Sequence, residues 1–220
     1  MCRLMMANNE GIRHIESEYG LENLFNYLEK QLGGHGNGIC FIYNDGSYYI
    51  KKGVDLSNKE ITYRILEDID CIKWVIYHTR LASVGNINNR NCHPFENNGR
   101  VMAMNGTERN YTVINRSLTD TENILLSTKN ITDNTKKYNS VFLGYENGKV
   151  FANKNHGSLK YIECENGGQI FASNFPIEYY ANDTVYEAPQ YFVEGDKVQV
   201  VKTVNHKRYF DYGAYGVYSW

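Results

Sequence analysis

The chain has 220 residues, 42% of them hydrophobic, with 23 Lys and Arg against 25 Asp and Glu for a net charge of −2. That length forms a single domain over residues 1–220 with a sizeable core, and the near-neutral balance excludes a protein built mainly to bind nucleic acid. No apolar run approaches the ~18 residues of a membrane span, no charged and apolar leader opens the chain, and five cysteines lack any CxxC pair, so a cytoplasmic protein is expected.

In chain order, Leu21, Leu24, Phe25, Leu28 and Leu32 recur at helical spacing and predict a helix over 21–32. The "GGHGNG" that follows stops it. "ICFIYNDGSYYIKKG" then reads as two strands joined at Asn44-Asp45-Gly46. Ser57, with Glu60 three residues on, opens a helix over 57–69. "CIKWVIYHTR" (71–80) has the pattern of a buried strand. "SLTDTENILLSTKN" (117–130) reads as a helix entered through Ser, Thr and Asp. Strand candidates follow in "YNSVFLGYENGKVFAN", "GSLKYIECENGGQIFASN" and "DKVQVVKTV", the first two with Asn-Gly or Gly-Gly at the tip. This order predicts an α+β protein with mostly antiparallel pairing. Cys40, Cys71 and Cys164 lie in strand-like runs and read as small buried residues. The short "TKKY" and "NHKRY" patches read as solvated loop ends, and the aromatic tail "YFDYGAYGVYSW" as an edge strand or packed terminus.

The unusual residues point to amide chemistry. If Met1 is removed, Cys2 carries both a thiol and a free α-amine. A free thiol has a pKa of roughly 8.5, and an α-amine at roughly 7.7–8.0 can take its proton without a histidine. The oxyanion formed by attack on an amide needs two donors, and Asn105-Gly106 offers a side-chain amide beside a backbone N–H. An amino-acid head group needs a cation and an anion. Arg80 can bind a carboxylate bidentately, and Asp120, at a helix start, can receive an ammonium. His78 and Thr79 precede Arg80 on the same strand end and join it as substrate-side candidates. His78 and His93 are further read as orienting loops by hydrogen bonding. A metal at His78, Cys92 and His93 is set aside, because the spacing matches no standard zinc pattern. No cofactor and no metal are expected.

The ordered set "MCRLM", "GHGNGI", "HTRLASVG", "HPF", "MNGT" and "TDTE" resembles the glutamine amidotransferase domain of class II, an N-terminal-nucleophile hydrolase family, most of all its small stand-alone members. The resemblance runs from Cys2 to about Glu122 and continues more weakly through "FASNFP" and "VEGDKVQV". It implies a four-layer αββα sandwich of two antiparallel sheets flanked by helices. By motif position it implies Cys2 as nucleophile, Asn105 and Gly106 as the oxyanion hole, Arg80 on the glutamine carboxylate and Asp120 on its ammonium. Met104 stands where a histidine is usual, and Asn37 where an aspartate is frequent. The implied reaction releases ammonia and glutamate from L-glutamine through a thioester, the ammonia passing to a separate acceptor synthetase. Two alternatives keep the scaffold: hydrolysis of another γ-glutamyl or linear amide, and a non-catalytic interaction subunit.

Overall fold

Successive side chains of a strand point to opposite faces, and in the first strand, β1 (Arg3–Asn8), both faces are covered. Leu4 and Met6 enter one apolar layer, Met5 and Ala7 another. The computed structural model describes residues 2–198 and 203–204. After β1 come α1 (Asn9–Glu18), α2 (Leu21–Leu32), β2 (Asn37–Tyr43), β3 (Tyr48–Gly53), α3 (Asn58–Asp68) and β4 (Ile72–Thr79). A long connection leads to β5 (Phe95–Asn97), β6 (Arg100–Asn105), α4 (Asp120–Ser127) and α5 (Ile131–Asn134). The chain continues through β7 (Val141–Glu146), β8 (Lys149–Lys154), β9 (Lys160–Glu163), β10 (Gln169–Ala172), α6 (Ile177–Asn182), β11 (Val185–Glu187) and β12 (Tyr191–Val193).

These strands form a seven-stranded sheet, β11-β9-β10-β1-β4-β2-β3, and a five-stranded sheet, β12-β8-β7-β6-β5. Every pairing is antiparallel. Leu4, Met6 and Ile76 of the larger sheet meet Ala103, Val141 and Leu143 of the smaller one in the central layer. On the outer face of the larger sheet, Ile12, Leu24, Leu28 and Ile61 of α1–α3 cover Met5, Val75 and Tyr77. On the outer face of the smaller sheet, Ile124, Leu125 and Ile131 of α4 and α5 cover Met102, Met104 and Phe142. The order of layers is therefore helix, sheet, sheet, helix, the four-layer sandwich expected.

Local chemistry accounts for the element ends. Helix α2 buries Leu21, Leu24, Phe25 and Leu28, its predicted apolar face. Ser57 caps α3 by accepting from the Glu60 N–H at 3.2 Å, and Thr119 caps α4 by accepting from Glu122 N–H at 3.2 Å. The β7–β8 turn puts Asn147 and Gly148 at positive φ, as a two-residue hairpin loop requires. Cys40 and Cys164 are buried as expected, but Cys71 is exposed, a correction. It sits in the turn before β4, where its N–H bonds back to Asp68 O, so it precedes the buried run rather than joining it. The strand expected over 196–204 falls largely outside the described residues, although Thr203 pairs with Tyr186 and Val204 N–H donates to Val185 O. The "NHKRY" patch and the aromatic tail lie outside them entirely. Among the described residues no helix is long and apolar enough to cross a membrane.

One packing feature shapes the end of the sandwich where the candidate residues gather. A Cβ on Gly36 would lie 2.4 Å from Cys92 Sγ, and one on Gly38 would lie 1.9 Å from the His93 carbonyl oxygen. The glycines of "GHGNG" thus admit the 92–93 segment directly onto the start of β2.

Candidate active site

The start of β1, the ends of β4 and β6 and the first residue of α4 converge at this end. Arg3 pairs with Thr79, so Cys2 lies beside Arg80 across the β1–β4 ladder. Cys2 also reaches the other sheet: its backbone nitrogen donates to Asn105 Oδ1 at 2.9 Å. Because that contact needs an acceptor, it fixes the amide orientation and turns Asn105 Nδ2 away, where it makes no hydrogen bond among the described residues. Gly106 follows at φ +146°, against Ser140, whose Oγ a Cβ would strike at 2.1 Å.

Cys2 is buried, at 6% exposure, and its thiol faces the Leu81 backbone. Leu81 N–H donates to Sγ at 3.3 Å, and Sγ–H reaches Leu81 O at 3.5 Å. Burial pushes the thiol pKa up; the Leu81 N–H and the Arg80 charge oppose the rise, and the Asp120 charge adds to it. Both charged candidates therefore lie within electrostatic reach of the nucleophile candidate.

Arg80 and Asp120 are themselves buried, at 2% and 5% exposure. The guanidinium donates only to loop carbonyls: Nη1 to Asn86 O at 3.0 Å, Nη2 to Val84 O at 2.7 Å and Gly85 O at 3.4 Å. The Asp120 carboxylate accepts only backbone N–H groups, from Glu108 at 2.9 Å and Thr121 at 2.9 Å. Desolvation raises its pKa against those hydrogen bonds. Neither charge has an ion-pair partner among the described residues. Buried charges are ordinarily paired, so this is a cation and an anion each held in place and left without a counter-charge.

His78 and Thr79 lie inside the sheet rather than beside these charges. Both are fully buried, with Thr79 paired to Arg3 and Asn37 in the ladder. His78 Nε2 donates across the sandwich to Met104 O at 3.1 Å. Burial drives the His78 pKa down to about 3, with the Arg80 and Lys52 charges pushing the same way and the Met104 hydrogen bond opposing. His93 is likewise buried and lowered, with Nε2 2.9 Å from Thr121 Oγ1. Each histidine thus hydrogen-bonds a regular element, strand β6 or helix α4, rather than a loop. Asn37 does not enter the site. Its Nδ2 donates to Glu29 Oε1 and Leu56 O beneath α2.

Several participants carry no sequence signal. Leu81 acts through its backbone alone. His35 Nδ1 accepts from Ala82 N–H at 3.0 Å, and Ser83 Oγ lies 2.8 Å from Thr107 Oγ1, so the loop that follows Leu81 is tied to the segments at His35 and Thr107. Ser140 Oγ donates to Glu108 Oε1 at 2.6 Å behind Gly106. Among the described residues no group of three or more His, Cys, Asp or Glu is placed to hold a metal. A cleft of about 680 Å³ opens between α2 and α6, lined by Tyr19, Tyr27, Phe175 and Tyr179, and shares no residue with this set. Its lining contains no Cys, Ser, Thr or His.

No protein-family model matches the sequence, and no curated protein matches it. Solved structures do. One is the allosteric regulatory enzyme of purine biosynthesis, at 18% identity and TM-score 0.60, with 93% of this chain and 49% of that one covered. Another is glutamine phosphoribosylpyrophosphate amidotransferase from B. subtilis complexed with ADP and GMP, at 15% identity and TM-score 0.57, with 94% and 49% covered. This chain therefore spans about half the length of each. At such identities the likeness is one of fold: over more than nine-tenths of its length the chain shares the fold of about half of each of these two enzymes.

Proposed function

We propose that the protein is a glutamine amidotransferase or glutaminase-type amidohydrolase whose nucleophile is Cys2. The observation that carries this reading is the pair of buried, mutually unpaired charges, Arg80 and Asp120, both within electrostatic reach of one thiol. A zwitterionic α-amino acid supplies the missing counter-charges, carboxylate to Arg80 and ammonium to Asp120, and presents its side chain to Sγ.

The steps follow from the geometry. With Met1 removed, the Cys2 nitrogen is a free amine, and its contact with Asn105 Oδ1 orients it. Since burial raises the thiol pKa, a local base is required, and the amine takes the proton as Sγ bonds to the amide carbon. The oxyanion is met by Asn105 Nδ2 and the Gly106 N–H. The amine returns its proton to the leaving nitrogen, the C–N bond breaks, and ammonia departs from a γ-glutamyl thioester. Water, deprotonated by the same amine, adds to the thioester; the S–C bond breaks, the amine returns the proton to Sγ, and glutamate is released. The ammonia would pass to a separate acceptor synthetase in the cytoplasm.

The test is intact mass before and after incubation with a glutamine-mimicking diazoketone, followed by adduct mapping and an ammonia assay with glutamine. Loss of Met1, one adduct on Cys2 that excess glutamine suppresses, and ammonia release are expected. A chain that retains Met1, or that is processed but neither labels nor hydrolyses glutamine, overturns the mechanism.

A further inference from the structure

We propose that His78 and His93, stacked against each other beneath the site, are positioning residues: His78 sets the Asn105–Gly106 corner and His93 sets Asp120. The proposal deepens the amidohydrolase reading and rests on it.

The two rings lie 4.1 Å apart between centroids at 37°, and His93 meets Phe95 edge-on at 4.8 Å. Met104 O can only accept, so the His78 proton is on Nε2 and its Nδ1 is bare. The Nδ1 atoms of both rings are buried without a hydrogen-bond partner among the described residues. Leucine or phenylalanine would fill the same space without stranding a polar atom. What the imidazoles provide instead is two Nε2 contacts, each one residue from a candidate site group. The Met104 carbonyl belongs to the peptide that leads into Asn105, so holding it fixes the direction in which the Asn105 side chain leaves the strand. Thr121, held by His93 Nε2, donates its own N–H to Asp120 Oδ1.

The pair is also prevented from drifting. Gly38 lies under the His93 carbonyl with no space for a Cβ. Beside it on the same face, Lys52, the cross-strand partner of Gly38, donates its Nζ to Arg90 O at 3.2 Å and Pro94 O at 3.0 Å, and lies 4.2 Å from the Phe95 ring centroid. The segment bearing His93 is thus seated on one face of the β2–β3 pair, over Gly38 and tied to Lys52, and its ring presses on a histidine two residues before Arg80.

The division of labour gives a measurable split. His78→Leu removes the donor to Met104, and Thr121→Val removes the partner of His93 while keeping its shape. We would measure kcat and KM for glutamine hydrolysis, the rate of Cys2 alkylation by iodoacetamide, and thermal unfolding. Alkylation at a saturated carbon develops no oxyanion, so it reports the thiol alone. For His78→Leu, kcat is expected to fall about 10- to 100-fold with KM and alkylation rate near wild type. His78→Gln, which returns an N–H close to the Nε2 position, should recover most of that loss. Thr121→Val is expected to raise KM about tenfold with little change in kcat. Folded variants with wild-type constants overturn the proposal, as does a parallel fall of kcat, alkylation and melting temperature that His78→Gln does not rescue. If His78→Leu does not fold, His78→Ala takes its place, and it and Thr121→Val decide by the same criteria, with His78→Gln kept as the rescue. A wild-type chain that alkylates at Cys2 yet hydrolyses no glutamine overturns the amidohydrolase reading and this inference with it; an active wild type with indifferent variants overturns this inference alone.

Discussion

Lowering the pH from 7.5 to 5.5 should destabilise this protein through the two buried histidines. In the folded chain burial holds His78 at about 3 and His93 well below its usual range, and the Arg80 and Lys52 charges facing them push the same way. In the unfolded chain each returns to roughly 6.5. Between those values the unfolded state binds protons that the folded state refuses. Their contribution is complete above the unfolded pKa and is lost as pH falls below it. One unit below 6.5 the linkage amounts to about 1.4 kcal/mol for each histidine, or roughly 3 kcal/mol for the pair. For a domain of this size that corresponds to a fall in melting temperature of about 6–12 °C. Carboxylates interfere little in this window: the depressed Glu187 loses its contribution only as pH falls below its usual value of 4.5, and the raised Asp120 acts with the opposite sign. The assay is urea unfolding at the two pH values for wild type and for His78→Gln. The variant should lose about 1.4 kcal/mol less than wild type between them. Equal wild-type stability at both pH values, or the full wild-type difference in His78→Gln, would refute the reasoning.

Three further substitutions probe separate contacts. Asn105→Ala removes both the acceptor for the Cys2 nitrogen and the free Nδ2, and should lower kcat on the order of 10²–10³ with KM little changed; a steady-state loss below tenfold counts against an oxyanion role. Gly38→Ala places a Cβ 1.9 Å from His93 O, so the 92–94 segment must move by about 1.5 Å to regain an ordinary contact distance of 3.4 Å. Overpacking of this kind costs roughly 1–3 kcal/mol or more, visible in calorimetry, and an unchanged melting temperature would show that the segment is not held there. Arg80→Lys cannot reproduce a planar fork bonded to three carbonyls, and is expected to raise KM for glutamine tenfold or more. An unchanged KM would remove Arg80 from carboxylate binding.

What the sequence made legible follows from where its information is local. Helix α2, the β2–β3 hairpin and α3 each carry a complete signal within a dozen residues: a buried stripe, a turn tripeptide, a capping serine. Helix α1 does not. Its buried positions are Gly11, Ile12 and Ile15, too few for a stripe, and its start is set by Asn8, whose side chain also accepts from Gln169 N–H across the sheet. Strand β1 shows no alternation because both its faces are covered. The candidate site divides the same way. Cys2, Arg80, Asn105, Gly106 and Asp120 each suggest a task by their own chemistry, and the fold brings them together. The Leu81 backbone, the Glu108–Ser140 hydrogen bond and the stacked histidines depend on which distant segments meet, and composition does not encode that.

The glycines of "GHGNG" show how such tertiary information can still be written into a short motif. Read alone, they stop α2 and leave their further purpose open. In the structure, Gly36 and Gly38 are small because Cys92 and His93 rest on them, so the motif at the start of β2 and the "NCHP" motif are two halves of one packing contact. A side chain at position 38 would displace the segment whose ring supports His78, and His78 supports the peptide before Asn105. That places the physical requirement for glycine several contacts away from the thiol. It also separates two kinds of rigidity at this end of the sandwich. Arg80 and Asp120 are held by backbone groups that leave them unneutralised, whereas the support beneath them is built from neutral rings, close backbone contacts and a lysine bonded to carbonyls. On the proposed reading, a support made of carboxylate–cation pairs would compete with an amino-acid substrate for those same charges; one without carboxylates does not.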